Sequence, residues 1–324
     1  MTASLLRIEA VSRAFGGGRS VIGRPRGGIH ALQKVSLDVE RGETLGIVGE
    51  SGSGKTTLAR LLVGLDRPTD GRILLNGIDV ADLRRQSRNA LAKHIQYVFQ
   101  DPLSSLNPRQ TIRKILEAPL KYLHSIPKEV RRVRVSELMA AVKLRDEFLD
   151  RYPHEFSGGQ AQRIGLARAL AAQPKIIVLD EPVSSLDVSV QTQVLNLLED
   201  IKGRFGLTYI LISHDLAIVE NMCDRVAVMY FGRVVEQGSA TSTFNRPMHP
   251  YTALLSASAP RIGKREMATD DALAELPNPL FPPPGCAFAS RCGRATQVCR
   301  EARPELDGEQ DDHRAACYHP LKSV

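Results

Sequence analysis

The chain has 324 residues, enough for one large domain with an appendage or for two domains, and 43% of its residues are hydrophobic, as in ordinary globular proteins. Its 43 Lys and Arg exceed its 36 Asp and Glu, which gives a net charge of +7. This excess is spread along the chain without interleaved aromatics, which argues against nucleic acid as a partner. No apolar run approaches the ~20 residues of a membrane span, and residues 1–4 do not begin a signal peptide. The sequence therefore predicts a cytosolic protein that reaches a membrane only through partners.

The N-terminal part of the chain has the patterns of strands. Residues 5–11, 31–39 and 45–48 are predicted strands, and the Gly- and Arg-rich residues 16–28 are a predicted loop. Phe15 ends the first strand, where it is either a core aromatic or a ring that stacks on a purine. The residues alone favour the core.

Residues 49–56 read Gly-Glu-Ser-Gly-Ser-Gly-Lys-Thr and match the phosphate-loop pattern G-x-x-x-x-G-K-[ST] at every fixed position. The glycines allow backbone amides to turn towards a phosphate, and the helix that follows adds positive potential. Lys55 would reach the β- and γ-phosphates, and the Thr56 hydroxyl would bind Mg²⁺. The predicted nucleotide-binding residues here are Gly49, Glu50, Ser51, Gly52, Ser53, Gly54, Lys55, Thr56 and Thr57.

Two carboxylates follow a later strand. Residues 176–179 are consecutive apolar β-formers, which indicates a strand buried on both faces. Asp180 and Glu181 come next, and carboxylates there are costly unless they bind something. Ligands of parallel α/β sheets lie at such strand ends, so Asp180 is a candidate Mg²⁺ ligand and Glu181 a candidate base for water. An ordinary ion pair is the alternative.

Other polar residues occupy comparable positions. Gln100 follows the predicted strand 95–99, and His214 follows the predicted strand 207–212. A lone His is more often structural, but at this strand end His214 is a candidate phosphate contact. The alternation of strands and helices from residue 43 onward predicts an α/β fold with a parallel, doubly wound sheet.

Ser157 is a candidate N-cap for a helix that runs to about residue 172. Gly158 and Gly159 weaken its first turn. Either a phosphate approaches this helix N-terminus, or the glycines form a tight loop.

These motifs resemble, in identity and order, those of the ATP-hydrolysing subunits of ATP-binding-cassette (ABC) transporters over about residues 4–260. The motifs are the phosphate loop 49–56, Gln100 (Q-loop), Ser157-Gly158-Gly159-Gln160 (signature), Asp180-Glu181 (Walker B), Ser185-Leu186-Asp187 (D-loop) and His214 (switch). The resemblance implies a P-loop NTPase cassette with a parallel-sheet core, an N-terminal antiparallel β subdomain and a helical subdomain at about residues 103–165. It assigns residues 1–244 to the cassette and residues 245–324 to a small Cys- and Pro-rich C-terminal extension.

The resemblance also implies roles for these residues. ATP and Mg²⁺ would be the ligands, with Glu181, His214 and Gln100 catalytic and with Thr56, Gln100 and Asp180 around the Mg²⁺. Phe15 would stack on adenine, which raises it above the core interpretation. The further nucleotide contacts would be Ser157, Gly158, Gly159, Gln160 and Asp187. Because the signature would contact ATP held by another subunit, a chain with one phosphate loop and one signature requires a dimer.

The C-terminal extension, residues 245–324, narrows the resemblance to one group of ABC transporter ATPases. Met248-His249-Pro250-Tyr251-Thr252 and Pro283-Pro284-Gly285-Cys286 are similar to the C-terminal extension of oligopeptide and dipeptide importer ATPases, which nickel, glutathione and some sugar importers share. The implied function is ATP hydrolysis that energises di- and oligopeptide import. The implied partners are a second ATPase subunit, identical or homologous, two integral-membrane permeases and an extracytoplasmic binding protein. The chain would then lie peripherally on the cytoplasmic face of a bacterial inner membrane.

A soluble ABC ATPase that acts on nucleic acid or ribosomes is the less favoured function. Only about a hundred residues separate Lys55 from Ser157, without the sustained heptads of a long coiled coil. The chain also carries one cassette, whereas ribosome-acting members usually carry two.

Four of the five cysteines, Cys286, Cys292, Cys299 and Cys317, lie in the C-terminal extension. Disulfides are rare in cytosolic proteins, and the close Cys pairs of structural zinc sites are absent. Iron–sulfur clusters accept four thiolates at varied spacings, and some of the importer ATPases that this tail resembles carry one. A four-iron–four-sulfur cluster is therefore favoured over Zn²⁺, with His313 and His319 as substitute ligands and unligated thiols as the remaining alternative.

Overall fold

The computed structural model describes residues 4–16, 28–87, 89–258, 277–306 and 313–321. Most of the predicted Gly- and Arg-rich loop, residues 17–27, lies outside these ranges. Within them the strands are β1 (Leu6–Phe15), β2 (Ile29–Val39), β3 (Thr44–Val48), β4 (Asp70–Leu75), β5 (Ile78–Asp79), β6 (Ile95–Val98), β7 (Ile176–Asp180), β8 (Thr208–Ile212), β9 (Arg225–Tyr230), β10 (Arg233–Ser239) and β11 (Arg314–Ala315). The helices are α1 (Lys55–Leu62), α2 (Val80–Gln86), α3 (Pro102–Ser105), α4 (Ile112–Tyr122), α5 (Lys128–Ala141), α6 (Gly158–Ala171), α7 (Val188–Phe205), α8 (Leu216–Met222), α9 (Ala240–Asn245), α10 (Pro250–Ser258) and α11 (Gln297–Glu301).

A seven-stranded sheet in the order β11-β10-β9-β3-β8-β7-β6 forms the centre of the fold. Strands β9, β3, β8, β7 and β6 are parallel, while β10 returns as a hairpin on β9. Every residue of β3, β7 and β8 is buried, as expected for strands covered on both faces. The predicted parallel sheet is confirmed, and its geometry brings the carboxyl ends of β3, β7 and β8 to one edge.

Two hydrophobic cores lie on the two faces of this sheet, because side chains alternate along a strand. On β8, Ile210 and Ile212 face one core while Tyr209 and Leu211 face the other. The first core lies beneath a second, antiparallel sheet in the order β2-β1-β4-β5. This sheet is the N-terminal β subdomain that the sequence predicts.

The other core continues into a helical region in which α4, α5 and α6 pack together through buried side chains such as Leu116, Met139 and Ile164. This region is the predicted helical subdomain. None of the helices that the structure describes is long and apolar enough to cross a bilayer.

The C-terminal residues are fastened to the central sheet. Strand β11 pairs with β10, with Ala315 opposite Glu236. The buried Glu236 carboxylate accepts from the backbone N–H groups of Met248 and His249 at 2.7 Å, and its Oε1 lies 2.8 Å from Nε2 of His313. The tail therefore continues the fold of the cassette and shares its core.

Candidate functional site

The phosphate loop joins β3 to α1, and its path depends on glycine at two positions. Gly49 has a φ of 149°, and a Cβ there would lie 2.1 Å from the Met229 carbonyl oxygen. Gly54, the N-cap of α1, has a φ of 104° and approaches the Ala31 carbonyl oxygen in the same way. Substitution at either position would displace backbone, so the loop's shape is fixed by these contacts.

Lys55 is buried inside this loop. Its Nζ donates to the carbonyl oxygens of Gly49 at 2.7 Å and Glu50 at 2.9 Å. Burial lowers the pKa of Lys55, and the nearby carboxylates of Glu181, Asp180 and Glu50 oppose that shift. The Ser53 hydroxyl oxygen is also buried, and within the described residues it has no hydrogen-bond partner. A buried cation beside an unpartnered hydroxyl, at a helix N-terminus, fits a phosphate ligand.

The remaining loop residues differ in exposure. Ser51, Gly52 and Thr56 are exposed, and Thr57 is half-buried. The N–H of Glu50 donates to the Tyr251 hydroxyl at 2.8 Å, so this amide points at the tail. Glu50 was predicted from its place in the motif as a nucleotide contact, and here its polar groups are engaged by other parts of the chain.

Asp180 ends β7 and is largely buried beside the loop. The Tyr97 hydroxyl, on neighbouring β6, donates to its Oδ2. Burial raises the pKa of Asp180, whereas the hydrogen bonds from Tyr97 and Thr56 and the charge of Lys55 lower it. The predicted Mg²⁺ ligands Thr56 and Asp180 are therefore adjacent. Mg²⁺ binds through one or two carboxylates together with substrate phosphates, so this donor set fits the ion.

Tyr97 was missed by the sequence analysis. Its contact with Asp180 depends on β6 lying beside β7, with Tyr97 opposite Val178. Local spacing gives no information on which strands are neighbours, so the sequence carried no direct signal for this contact.

Glu181 is the centre of a second group. Gln100 Nε2 donates to its Oε2 at 2.9 Å, and His214 Nδ1 lies 2.9 Å from its Oε1. The backbone of Glu181 has a φ of 47°, a conformation that costs a non-Gly residue about 1–3 kcal/mol, and its N–H donates to the Ile212 carbonyl at 2.9 Å. The three residues predicted as catalytic thus meet at one carboxylate.

The signature residues form a separate group. Ser157 caps α6 in a reciprocal pair with Gln160, and Ser157 and Gly158 are exposed. A Cβ on Gly159 would lie 2.5 Å from Cγ1 of Val190, and one on Gly158 would lie 3.2 Å from Leu186. Packing within the chain is therefore a third reason for these glycines, in addition to the approach of a phosphate or a tight loop.

Asp187 is the N-cap of α7. Its Oδ1 accepts from the N–H of Val190 and the hydroxyl of Ser189, both at 3.0 Å, and these bonds lower its pKa. Because Val190 also packs on Gly159, Asp187 and the signature lie together.

Phe15 does not lie in the core. It is 38% exposed at the end of β1, and the Arg13 guanidinium carbon lies 4.4 Å from its ring centroid. This exposure contradicts the core interpretation that the residues alone favour.

The C-terminal cysteines lie together. Cys286, Cys292, Cys299 and Cys317 line one small cavity, and all are free thiols. Burial raises the pKa of Cys286 to about 11, and the other three cysteines add to that shift. No group of three or more His, Cys, Asp or Glu side chains in the described part of the chain is arranged to hold a metal ion. Neither the iron–sulfur nor the zinc expectation is confirmed.

Comparisons with known proteins agree with this geometry. Residues 32–184 match the ABC transporter family model, and residues 235–299 match the model of the oligopeptide/dipeptide transporter C-terminal region. The oligopeptide transport ATP-binding protein AppF of Bacillus subtilis is 44% identical over 97% of each chain. The dipeptide transport ATP-binding protein DppF of Escherichia coli is 48% identical over 86% of this chain and 84% of its own.

Among solved structures, a dimeric ATP-binding cassette in a post-hydrolysis state with ADP and Pi is 29% identical. It has a TM-score of 0.64 and covers 72% of this chain and 98% of its own. The chain belongs to the ABC transporter family as an ATPase subunit of the oligopeptide/dipeptide type.

Proposed function

We propose that this chain hydrolyses ATP to energise the import of di- and oligopeptides through an ABC transporter complex. The meeting of Lys55, Asp180 and Glu181 at one edge of the central sheet is the observation that carries ATP hydrolysis. The peptide assignment is supported by the match of residues 235–299 and by relatives named for oligopeptide and dipeptide transport. Nickel, glutathione or sugar import is the alternative, and the names of these relatives favour peptides.

Each group of the site has a role in this proposal. The loop amides and Lys55 bind the phosphates, and Phe15 offers its exposed ring to the base. Thr56, Asp180 and Gln100 hold Mg²⁺, which supplies positive charge to the phosphate oxygens when bound.

Glu181 accepts a proton from the attacking water, a role typically worth about 10²–10⁴-fold in rate. Gln100 and His214 orient its carboxylate through the 2.9 Å contacts on its two oxygens. Positioning of this kind matters because phosphoryl transfer needs little covalent help.

The signature implies a second subunit. Ser157 and Gly158 are exposed at the N-terminus of the 14-residue helix α6, which can receive a phosphate from outside the chain. We propose that an identical or homologous ATPase subunit presents its nucleotide there, with Gly159, Gln160 and Asp187 alongside. Two permeases and an extracytoplasmic binding protein complete the complex, which places the chain on the cytoplasmic face of the bacterial inner membrane.

The division into a cassette of residues 1–244 and an extension of residues 245–324 also stays a proposal. Matches to two separate family models support a division, although the second match, residues 235–299, begins ten residues before the proposed boundary.

We propose that the four C-terminal cysteines bind a four-iron–four-sulfur cluster, with Zn²⁺ as the alternative. Zinc requires all four sulfurs about 2.3 Å from one point, whereas each iron of a cluster takes a different thiolate. All four thiols line one small cavity, which supports a shared metal centre, and the absence of close Cys pairs favours a cluster over zinc. Anaerobic purification with iron and sulfide analysis tests this proposal, and a colourless protein with stoichiometric zinc would refute it.

Transport itself is tested in vesicles that contain the chain with its permeases and binding protein. We expect dipeptides or oligopeptides, and neither nickel, glutathione nor sugars, to stimulate ATP hydrolysis and to accumulate inside. Lys55→Ala abolishes both activities, because it removes the cation of the phosphate loop. Hydrolysis that persists at the wild-type rate in this variant would contradict the proposed site.

A further inference from the structure

Glu50, the second residue of the phosphate loop, is hydrogen-bonded to two residues of the C-terminal part of the chain. Its carboxylate oxygens accept from Arg291 at 2.8 Å (Nη1 to Oε2) and 3.0 Å (Nη2 to Oε1). Its backbone N–H donates to the Tyr251 hydroxyl at 2.8 Å. A two-pronged guanidinium–carboxylate contact fixes orientation as well as distance. Two side chains from the tail thus hold one residue of the nucleotide site.

Arg291 is placed for this contact. Its side chain is 5% exposed, and the guanidinium carbon lies 5.9 Å from the Tyr230 ring centroid and 5.6 Å from that of Phe288. A turn that begins at Cys286 supports it, since the N–H of Arg291 donates to the Phe288 carbonyl at 3.0 Å. A buried guanidinium is costly unless it is paired, and the hydrogen bonds to Glu50 raise the pKa of Arg291 above its usual value.

Glu50 also contacts Lys55, the lysine of the phosphate loop. Its carbonyl oxygen accepts from Lys55 Nζ at 2.9 Å and from the Ser53 N–H at 3.2 Å. A displacement of Glu50 would therefore move the backbone that cradles Lys55. The phosphate loop has its shape partly because the tail holds it.

The pair has an electrostatic consequence as well. Lys55 Nζ lies 2.9 Å from the Glu50 carbonyl oxygen, and the charge of the Glu50 carboxylate opposes the lowering of the pKa of Lys55 by burial. This carboxylate therefore lies near the region that must receive a polyphosphate. Like charges in a partly buried site repel strongly. Arg291 neutralises Glu50 and removes this repulsion.

We propose that Arg291 is a positioning residue of the ATP site: through Glu50 it holds the phosphate loop and cancels a negative charge beside the phosphates. The proposal rests on the ATPase activity of the chain and is independent of the transported substrate. It makes the C-terminal extension a determinant of nucleotide affinity.

The central test is charge rescue in the full-length chain. Arg291→Gln leaves Glu50 unpaired, and we expect MgADP binding, measured by calorimetry, to weaken about ten- to a hundredfold. Adding Glu50→Gln removes the uncompensated charge, and the double variant should bind MgADP within about threefold of the wild type. A role in packing alone predicts no rescue, because the lost guanidinium contacts stay lost.

A phosphate series separates this role from general destabilisation. The affinity lost in Arg291→Gln should grow from AMP to ADP to ATP, since the repulsion acts on phosphates. Arg225→Gln is the matched control. Arg225 Nη1 lies 3.2 Å from Oε1 of the buried Glu43, and this ion pair is outside the phosphate loop. We expect Arg225→Gln to lower the melting temperature without a phosphate-dependent loss.

If Arg291→Gln does not fold, Arg291→Lys offers a gentler test. It keeps a positive charge but cannot make the two-pronged contact with Glu50, so MgADP binding should weaken about three- to tenfold. MgADP affinity within twofold of the wild type in Arg291→Gln, or in Arg291→Lys where that variant is used, would overturn the proposal. So would a double variant no better than Arg291→Gln alone.

Discussion

His214 Nδ1 lies 2.9 Å from Oε1 of Glu181. The two residues follow β8 and β7, which are paired with Asp180 opposite Ile212. The contact therefore joins two neighbouring strand ends and holds the carboxylate from one side, while Gln100 holds it from the other. Both oxygens of the proposed base are thus oriented by side chains of this chain.

Replacing the base should separate binding from chemistry. We expect Glu181→Gln to keep MgATP binding, because the amide retains the size and most hydrogen bonds of the carboxylate. Hydrolysis should fall by about 10²–10⁴-fold, since the amide cannot take a proton from water. Steady-state phosphate release and equilibrium nucleotide binding measure the two effects.

Glu199→Gln, on the exposed face of α7, is the control and should leave both quantities unchanged. Wild-type turnover in Glu181→Gln would show that another group is the base.

Tyr97→Phe should weaken the metal site. The phenol donates to Asp180 and lowers its pKa, so its loss raises that pKa and lets protons compete with Mg²⁺. A hydrogen bond to a charged group contributes about 1.5–3 kcal/mol, which corresponds to about a tenfold or greater rise in the Mg²⁺ concentration for half-maximal ATPase. The effect should be larger at pH 6 than at pH 8.

Tyr209→Phe is the matched control, because it removes a buried hydroxyl that donates to the Leu198 carbonyl at 2.9 Å instead. Equal Mg²⁺ dependence in the two variants would contradict a role for Tyr97 at Asp180.

The signature glycine Gly159 is expected to be required for packing of α6 on α7. Gly159→Ala places a Cβ 2.5 Å from Val190, and such overpacking costs about 1–3 kcal/mol of folding free energy. Val190→Ala in the same chain removes the clashing methyl and should restore the melting temperature. ATPase activity should recover with the melting temperature in the double variant, because the added Cβ points at residue 190 inside the chain.

Thermal unfolding and ATPase assays of the two single variants and the double variant test whether Gly159 is needed for packing against Val190. A melting temperature that Val190→Ala fails to restore would rule out the packing explanation.

His249 should make stability depend on pH. It is 1% exposed, and burial lowers its pKa from 6.5 to about 4, opposed by the charge of Glu236. Between these values the unfolded chain binds a proton that the folded chain does not. Stability is therefore full above pH ~6.5 and falls as the pH approaches 4, by about 3 kcal/mol in all.

His249→Asn should flatten this dependence. Asn does not titrate, and its oxygen can replace Nδ1 as acceptor for the Tyr251 N–H at the start of α10. Denaturant unfolding at pH 5 and pH 7.5 measures the slope, and the exposed His154→Asn is the control. An unchanged slope in His249→Asn would assign the pH dependence to other groups.

The positions of polar residues at the ends of buried strands can be predicted well from the sequence. Asp180, Glu181 and His214 each come directly after a buried apolar run or close to its end, and parallel strands bring such residues to one edge. That argument needs only local patterns and the rule of parallel topology. It brings the proposed catalytic residues together without any knowledge of which strands are neighbours.

Contacts between distant segments could not be predicted in this way. Tyr97 meets Asp180 only because β6 lies beside β7, and Val190 meets Gly159 only through the packing of α7 on α6. Phe15 shows a related limit. The alternation of apolar and polar residues along a strand indicates on which face of the sheet a side chain lies, but not whether another element covers that face.

The pair of Glu50 and Arg291 also sets an order of events during synthesis. A ribosome adds about 5–20 residues per second, so the 241 residues that follow Glu50, up to and including Arg291, take about 12–48 s to make. Throughout that interval the nascent chain carries a complete phosphate-loop sequence without the arginine that anchors it. In the role proposed for Arg291, a chain released before that residue is made would bind ATP weakly, so a segment made long after the phosphate loop would determine when the loop binds nucleotide.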